Sequence, residues 1–381
     1  MKQRKILFVD HAAVLGGAEL HLLDIATAYK ETSSVFLFAD GAFKDKLEAA
    51  GIKVKVAQAT ESVLNVRASS GLEALKVLPN LWQMAGKIAL SAKGFDLIHA
   101  NSQKAFVTSA LATFRGSPPV VWHLQDILTA KHFSSINRRI AVWLANNCAA
   151  RVIVNSEATG KAFVAAGGKE ELVRVVYNGF DAAPFDAVTL EQTQQIRDRL
   201  GLNDVPVVGV FSRLSYWKGQ HILLEAIKKL PEVHALLVGE ALFGEEEYVT
   251  ELKALAAVPE LEGRVHWLGF RDDVPVLMKA CDIIAHTSTE PEPFGRVIVE
   301  GQLAHRPVIA TAAGGAIELI QDGVNGCLVS PGDVEALAKT IAELLADNAT
   351  ATNLSQKGYE QAKTNFSLES ILATFDRALP D

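Results

Sequence analysis

Two carboxylates eight positions apart, Glu292 and Glu300, bracket the run Glu-Pro-Phe-Gly-Arg-Val-Ile-Val-Glu. A glycine at 295 lets backbone approach a ligand closely, because no Cβ intrudes. A helix starting there would aim free N–H groups at an anion. Glu300 would then lie about 7 Å further along the axis, at roughly 1.5 Å per residue. Such a cradle suits a sugar near Glu292, a diphosphate over Gly295 and a ribose near Glu300. An amphipathic helix behind a polar loop carries the same pattern without any ligand.

A second set of charges lies in Phe-Ser-Arg-Leu-Ser-Tyr-Trp-Lys-Gly (211–219), directly behind an apolar run. Arg213 can fork two oxygens while Lys218 supplies a point charge. That pair suits a departing diphosphate, whose growing charge it would stabilise more than the ground state; a ligand-free surface pair is the other reading. Gly16-Gly17 precedes a helical run and either admits a phosphate or sugar or makes a tight turn. It is not the G-x-G-x-x-G spacing of a dehydrogenase. His123 lies within the run Val-Val-Trp-His-Leu-Gln-Asp, at the end of a predicted strand, where a lone histidine is more often packed than functional. Asp126 would orient a site or cap a helix. Asn101 and Ser102 follow another apolar run and are candidates for acceptor contact.

The elements that must hold these residues alternate in type. Residues 5–10, 35–38, 52–56, 95–100, 120–124 and 151–155 read as strands in the first half, and 205–211, 233–239, 264–269, 282–287, 306–311 and 326–330 in the second. Stretches rich in Ala, Leu, Lys and Glu separate them. That alternation argues for an α/β chain with two parallel sheets, each covered by helices. In such sheets ligands bind beyond the carboxyl ends of the strands, where these motifs fall. Asn178-Gly179 with Pro184 marks a change of direction. Residues 367–379 form a helix with Leu368, Ile371, Leu372 and Phe375 on one face.

A chain of 381 residues is long for one core. Its 49% hydrophobic and 21% charged residues describe a globular protein, and no apolar run approaches the ~20 residues of a membrane span. The opening Met-Lys-Gln-Arg-Lys-Ile-Leu-Phe-Val-Asp-His reads as a first strand, not an export signal. Three scattered cysteines form neither a disulfide framework nor a zinc pattern, so a cytoplasmic setting fits. Charge is divided unevenly. Residues 1–180 hold 21 Lys+Arg against 14 Asp+Glu, a net of +7, and residues 181–381 hold 16 against 30, a net of −14. The basic half would meet an anionic membrane or acceptor, or complement the acidic half. No Arg-rich run or aromatic-basic stripe points to nucleic acid. The segment 71–93 (Leu72, Leu75, Leu78, Trp82 with Lys76, Lys87, Lys93) and Trp143 with Arg138-Arg139 have membrane-surface character, but core packing explains their apolar residues too.

Taken together, the Glu-x7-Glu run, Arg-x4-Lys, the Gly-Gly loop and the block Thr-Ala-Ala-Gly-Gly-Ala-Ile-Glu-Leu-Ile (311–320) resemble the retaining family-4 glycosyltransferases. The resemblance extends over nearly the whole chain. It implies the GT-B architecture: two Rossmann-like domains with parallel sheets facing a cleft, and a C-terminal helix crossing back to the first. The domains would run 1–179 (acceptor side), 180–365 (donor side) and 366–381 (the crossing helix), with Asn-Gly-x-Asp (178–181) at the junction. It implies that Glu292, Phe294, Gly295, Arg296, Val297 and Glu300 bind a nucleotide-sugar donor, that Arg213 and Lys218 grip its diphosphate, and that Gly16 and Gly17 face it. Gly269 and Phe270 would line the base, Gly314-Gly315 the donor sugar, and His123 would contact that sugar and assist catalysis. Asp322-Gly323 and Asn325-Gly326 would be turns only.

The activity implied is transfer of a sugar, as in hexosyltransferases, from a nucleoside-diphosphate sugar to a hydroxyl of a glycan, lipid or small molecule, with retention of configuration. Front-face attack assisted by the departing phosphate needs no protein nucleophile, so Glu292 would position the donor sugar. No metal-ligand cluster or cofactor motif is evident, and the cationic groups would replace Mg²⁺. A nonhydrolysing nucleotide-sugar epimerase shares the architecture but needs an acid/base set around the sugar. A catalytically silent sugar-nucleotide-binding partner subunit and a periplasmic solute binder are the non-enzymatic alternatives.

Overall fold

Short β-branched runs that are apolar on both faces can only be strands of a sheet covered on each side, and both halves of the chain build one. The computed structural model describes residues 4–59, 72–129, 134–242 and 244–380, with backbone alone at 72–77. Two compact units divide it: Met1–Gly179 with Ile371–Asp381, and Phe180–Ser370.

In the first unit, strands β1 (Ile6–Asp10), β2 (Ser34–Leu37), β3 (Val54–Val56), β4 (Leu97–Ala100), β5 (Val120–Leu124), β6 (Ala149–Val154) and β7 (Val173–Val175) form one parallel sheet in the order β3-β2-β1-β4-β5-β6-β7. In the second, β8 (Val207–Phe211), β9 (His234–Val238), β10 (Val265–Gly269), β11 (Ile283–His286), β12 (Val308–Thr311) and β13 (Cys327–Val329) give β10-β9-β8-β11-β12-β13, also parallel. Each is a doubly wound, Rossmann-like sheet. The strand order reverses between β1 and β4 in one and between β8 and β11 in the other, and a crevice opens at each reversal.

All twelve strands read from the sequence are present. The addition is β7, three residues at the sheet edge with Arg174 exposed in the middle, too short to show alternation. The two faces of the first sheet have separate cores. One is built on Phe36, Phe106, Trp122 and Phe163, with Trp122 stacked on Phe106 at 4.4 Å. The other is built on Phe8, Leu22, Phe43 and Phe375.

The last helix, Leu368–Ala378, begins two residues after the expected 366 and belongs to the first unit from Ile371 onward. Phe375 is fully buried there against Tyr29 and His99. Tyr29 Oη donates to Asp376. Losing a buried phenyl ring costs about 3–5 kcal/mol, so Phe375 is the anchor of this return. Within the second unit the backbone of Phe180 bonds to Phe366 and Leu368, clasping the entering and leaving chain together.

Pro79 lies inside one helix, Leu72–Ser91. The side chains of Leu72, Leu75 and Lys76 are outside the described residues. No described helix is long and apolar enough to cross a membrane, and the three cysteines are unpaired.

Candidate functional site

In the second unit the crevice between β8 and β11 gathers a buried charged cluster. Glu292 sits on the loop after β11. Its Oε1 takes the ammonium of Lys218 at 2.5 Å, and its Oε2 takes His286 Nε2 at 2.5 Å and Ser288 Oγ at 3.0 Å. Thr311 at the end of β12 touches His286 Nδ1 at 3.4 Å and donates to the Ser288 carbonyl at 2.8 Å. Burial alone would raise the Glu292 pKa. The charges of Lys218 and His286 and their hydrogen bonds outweigh it and hold the carboxyl well below the usual range. Glu292 is therefore a fixed, largely buried carboxylate, an acceptor for hydroxyl groups.

Glycines set the loop that carries it. Gly295 has φ 95° and opens the helix Arg296–Leu303, whose N-terminus no side chain caps. A Cβ on Gly314 would lie 2.2 Å from the Glu292 carbonyl oxygen, and one on Gly315 2.6 Å from that of Pro293. The second glycine pair, expected beside the donor sugar, thus presses against the backbone of the Glu292 loop and holds it in place. Val297 joins Ser212, Lys218, His286, Thr287 and Ser288 around the small pocket in front of the cluster.

Phe294 is placed differently from the expectation. Its side chain is 2% exposed and packs on Phe180 (6.2 Å, stacked) and Phe366, so its ring is core and only its backbone lies along the loop. The alternation of an aromatic with a glycine turns the ring inward when the backbone turns out. Arg296 lies 4.5 Å above the Phe180 ring and pairs with Glu300 at 3.4 Å, one helical turn on. Arg213 and Lys218 are both partly buried on the loop after β8, and Lys218 is committed to Glu292. The Arg213 carbonyl accepts from Gln220 at 2.7 Å. Gly269 (φ 63°) ends β10 and Phe270 follows it, and the Phe270 N–H donates to Glu240 Oε1 at 3.2 Å. Leu214 N to the Glu240 carbonyl, 3.0 Å, ties that loop to the Arg213 loop. Asn325 is a turn builder, as expected, bonding Gln321 N and the Leu319 carbonyl.

The first unit has its own polar network at the β1/β4 crevice. Asp10, fully buried, accepts from the N–H of His11 (2.5 Å) and Ala12 (3.3 Å), from His11 Nδ1 (3.2 Å) and from Asn101 Nδ2 (2.6 Å). Burial raises its pKa, but His11 and Asn101 overcompensate and the group stays ionised below the usual range. Asn101 Oδ1 accepts from Gln125 Nε2 at 2.6 Å, and the amides of both reach the Ala18 carbonyl behind the glycine pair. Gly16 is extended and caps the helix Gly17–Ala28. A Cβ there would lie 2.8 Å from Glu19 Oε2, so the Glu19 carboxyl folds back on the glycine loop. Burial first, then the charges of Asp10 and Asp126, push the Glu19 carboxyl up to about 8.

His123 needs correcting. It lies within β5, fully buried, with its ring edge-on to His21 and His99 at 5.2 and 5.1 Å. Burial, then the neighbouring His99 and His21, keep it neutral. A side chain inside a strand covered on both faces has no route to a sugar. The residues that emerge at the end of β5 are Gln125 and Asp126, and the histidine at this edge of the sheet is His11, directly after β1. Of these, Asp126 is a candidate from the sequence; the signal for Gln125 and His11 is their place just past a strand end. Among the described residues no group of three or more His, Cys, Asp or Glu is arranged to hold a metal.

Residues 192–361 match the family described as Glycosyl transferases group 1, and residues 16–179 the Glycosyl transferase 4-like domain. The chain is 45% identical, with a TM-score of 0.90, to the Anabaena protein Alr3699/HepE crystallised in complex with UDP-glucose, over 99% of this chain and 100% of that one. It is 37% identical over 168 residues to the lipopolysaccharide core biosynthesis glycosyltransferase LpsE of Rhizobium meliloti (strain 1021), covering 44% of this chain and 48% of that protein. Over 305 residues it is 30% identical to the D-inositol 3-phosphate glycosyltransferase of Mycobacterium marinum, covering 75% and 64% respectively. The chain thus spans about half the length of the first of these two curated relatives and under two thirds of the second.

Proposed function

From the premise that this chain belongs to the group 1 glycosyltransferases of GT-B fold, we propose that it transfers glucose from UDP-glucose to a hydroxyl acceptor, retaining anomeric configuration. The observation that carries this reading is the Lys218–Glu292–His286 cluster beside the uncapped helix that starts at Gly295, at the reversal of the second sheet. Full-length similarity to a protein crystallised with UDP-glucose supports the choice of donor. Glu292, kept ionised, accepts from hydroxyls of the sugar. The N–H groups of the helix at Arg296 and the Arg213 guanidinium take the diphosphate and stabilise it as it leaves. Glu300 takes the ribose, and the backbone at Gly269-Phe270 the base. These groups do the work without a metal ion.

A second reading concerns where the protein acts. The helix Ser135–Cys148 exposes Ile136, Ile140 and Trp143 at 50, 44 and 60%, one stripe at helical spacing, beside Arg138 and Arg139. Core packing does not account for them. We propose that this face of the basic unit rests on an anionic membrane, the aromatic and aliphatic groups entering the interface while arginines meet the headgroups.

Thermal-shift titration with UDP-, GDP- and ADP-glucose tests the donor, since a bound ligand raises stability by mass action. UDP-glucose should raise Tm most, and its turnover should release UDP. Recovery of an epimeric UDP-sugar instead would overturn transfer in favour of isomerisation.

A further inference from the structure

We infer that Gln220 is a positioning residue for the transfer: its buried amide, held by Tyr248, fixes the peptide bond that follows Arg213 and so sets the direction in which the guanidinium meets the departing diphosphate. The inference rests on the role given to Arg213 above and adds two residues to which the sequence reading gave none.

The hydrogen bonds assign each end of the amide. Gln220 opens the helix Gln220–Lys228 and is fully buried. One end of its amide donates to Ser212 Oγ at 2.9 Å and to the Arg213 carbonyl at 2.7 Å. A carbonyl only accepts, so this end is the nitrogen and the other the oxygen. That oxygen takes the Tyr248 hydroxyl proton at 3.1 Å. With its proton so committed, Tyr248 Oη accepts from the His221 N–H at 3.2 Å and faces His221 Nδ1 at 2.9 Å. Tyr248 is itself buried, on the neighbouring helix Glu246–Ala256. The amide cannot flip without bringing two oxygens together at Arg213, nor swing away without stranding the Tyr248 hydroxyl.

What it holds is one peptide plane. Arg213 lies in the loop after β8, between Ser212, whose N–H donates to the Val238 carbonyl at 3.0 Å, and Leu214, whose N–H donates to the Glu240 carbonyl at 3.0 Å. The Arg213 carbonyl and the Leu214 N–H belong to the same planar unit, so Gln220 and Glu240 hold its opposite edges. Without Gln220 the plane is free to pivot on the Glu240 bond, and the Arg213 side chain pivots with it. Lys218, at the far end of the loop, is held separately: its carbonyl accepts from Thr287 Oγ1 at 2.9 Å and its ammonium pairs with Glu292. Loss of Gln220 therefore disturbs Arg213 and leaves Lys218 in place. An apolar side chain of equal length would pack at 220 but hold neither the carbonyl nor the hydroxyl, so the amide contributes direction.

Gln220→Met keeps the side-chain length and removes the amide; Tyr248→Phe keeps the amide and removes the hydroxyl behind it. Each is made alone and in the Arg213→Ala background. UDP release from UDP-glucose is measured in buffer and with a panel of monosaccharide acceptors, beside UDP-glucose Kd and Tm. Misplacing a reacting group by about 1 Å can cost about a hundredfold. We expect kcat to fall by about tenfold or more in Gln220→Met, with Kd within about threefold of wild type, and by a smaller factor in Tyr248→Phe. In the Arg213→Ala background neither change should lower kcat further by more than about twofold, because no guanidinium is left to aim. A purely structural role lowers kcat alike in both backgrounds, and that result overturns the inference, as does wild-type kcat in Gln220→Met. Should Gln220→Met not fold, Tyr248→Phe decides by the same comparison of backgrounds. Wild-type turnover in Arg213→Ala, or a wild-type chain that releases no UDP under any of these conditions, overturns the diphosphate reading itself, and this role with it.

Discussion

Lys218 Nζ and Glu292 Oε1 lie 2.5 Å apart in a pocket that leaves their side chains only 14% and 13% exposed. The pair joins the loop after β8 to the loop after β11 across the reversal of the second sheet. Its strength is mutual: without Glu292 the Lys218 ammonium loses its carboxylate, and without Lys218 the Glu292 carboxylate keeps only His286 and Ser288. Lys218→Ala and Glu292→Ala should each lower stability by about 3 kcal/mol. The double variant should lose less than the sum, because the stranded charge disappears with its partner. Urea unfolding of the four proteins gives the coupling directly. Additive losses would mean that the ion pair contributes nothing to holding the two loops together.

Arg213 has the opposite balance of roles. Its loop is tied down at the main chain: the Arg213 carbonyl accepts from Gln220 Nε2 and the Leu214 N–H donates to the Glu240 carbonyl. Arg213→Ala should therefore fold normally and turn over UDP-glucose more slowly by roughly 10²–10³-fold, the cost of one charge-stabilising group. Steady-state UDP release with a Tm control decides it. Near-normal turnover would remove Arg213 from the diphosphate site.

What the sequence made legible follows from range. Strands such as Val120–Leu124 and the opening of the helix at Gly295 are local matters, set by β-branched runs and by a glycine at positive φ, and they could be read directly. The direction of a side chain is not local. His123 and Phe294 stand in segments correctly identified, yet each points into a core that only the folded neighbours define: His21 and His99 for one, Phe180 and Phe366 for the other. Likewise Gly314-Gly315 read as a ligand loop because a missing Cβ looks the same whether sugar or backbone comes close. His286 and Ser288, which fix the Glu292 carboxylate, had no motif to mark them.

The buried histidines give the first unit an acid limit. Burial holds His99 down to about 3, and burial with the other histidines holds His123 low as well. Both are neutral in the native chain, whereas the unfolded chain binds their protons once pH falls through about 6.5. Stability present above that value is thus lost as pH falls from about 6.5 toward about 3. Tm measured across that range should decline, and His99→Phe, which cannot take up a proton, should flatten the decline. An identical slope in the variant would assign acid sensitivity elsewhere.

Metal removal should leave the reaction intact. The proposed diphosphate site supplies its positive charge from Arg213 and from the N–H groups of the helix Arg296–Leu303, which need no ion between protein and phosphate. Turnover of UDP-glucose after exhaustive chelation should match the untreated enzyme. Loss of activity that Mg²⁺ or Mn²⁺ restores would place a divalent ion in the mechanism.

The exposed stripe on the helix Ser135–Cys148 should set membrane affinity. Apolar contacts and charge contribute separately, and the two are separable by experiment. Trp143→Ser and Ile140→Ser should weaken sedimentation with anionic vesicles at every salt concentration, because they remove buried apolar area. Arg138→Gln with Arg139→Gln should weaken it mainly at low salt, because a charge contact is screened over about 10 Å at 0.1 M. Neutral vesicles should bind little in all cases. On the proposed membrane contact, the +7 net charge of residues 1–180 would add a long-range attraction to that of the stripe. If wild type and Trp143→Ser fail alike to bind anionic vesicles at low salt, the face belongs to a protein partner or a second copy, and gel filtration at rising concentration would distinguish those.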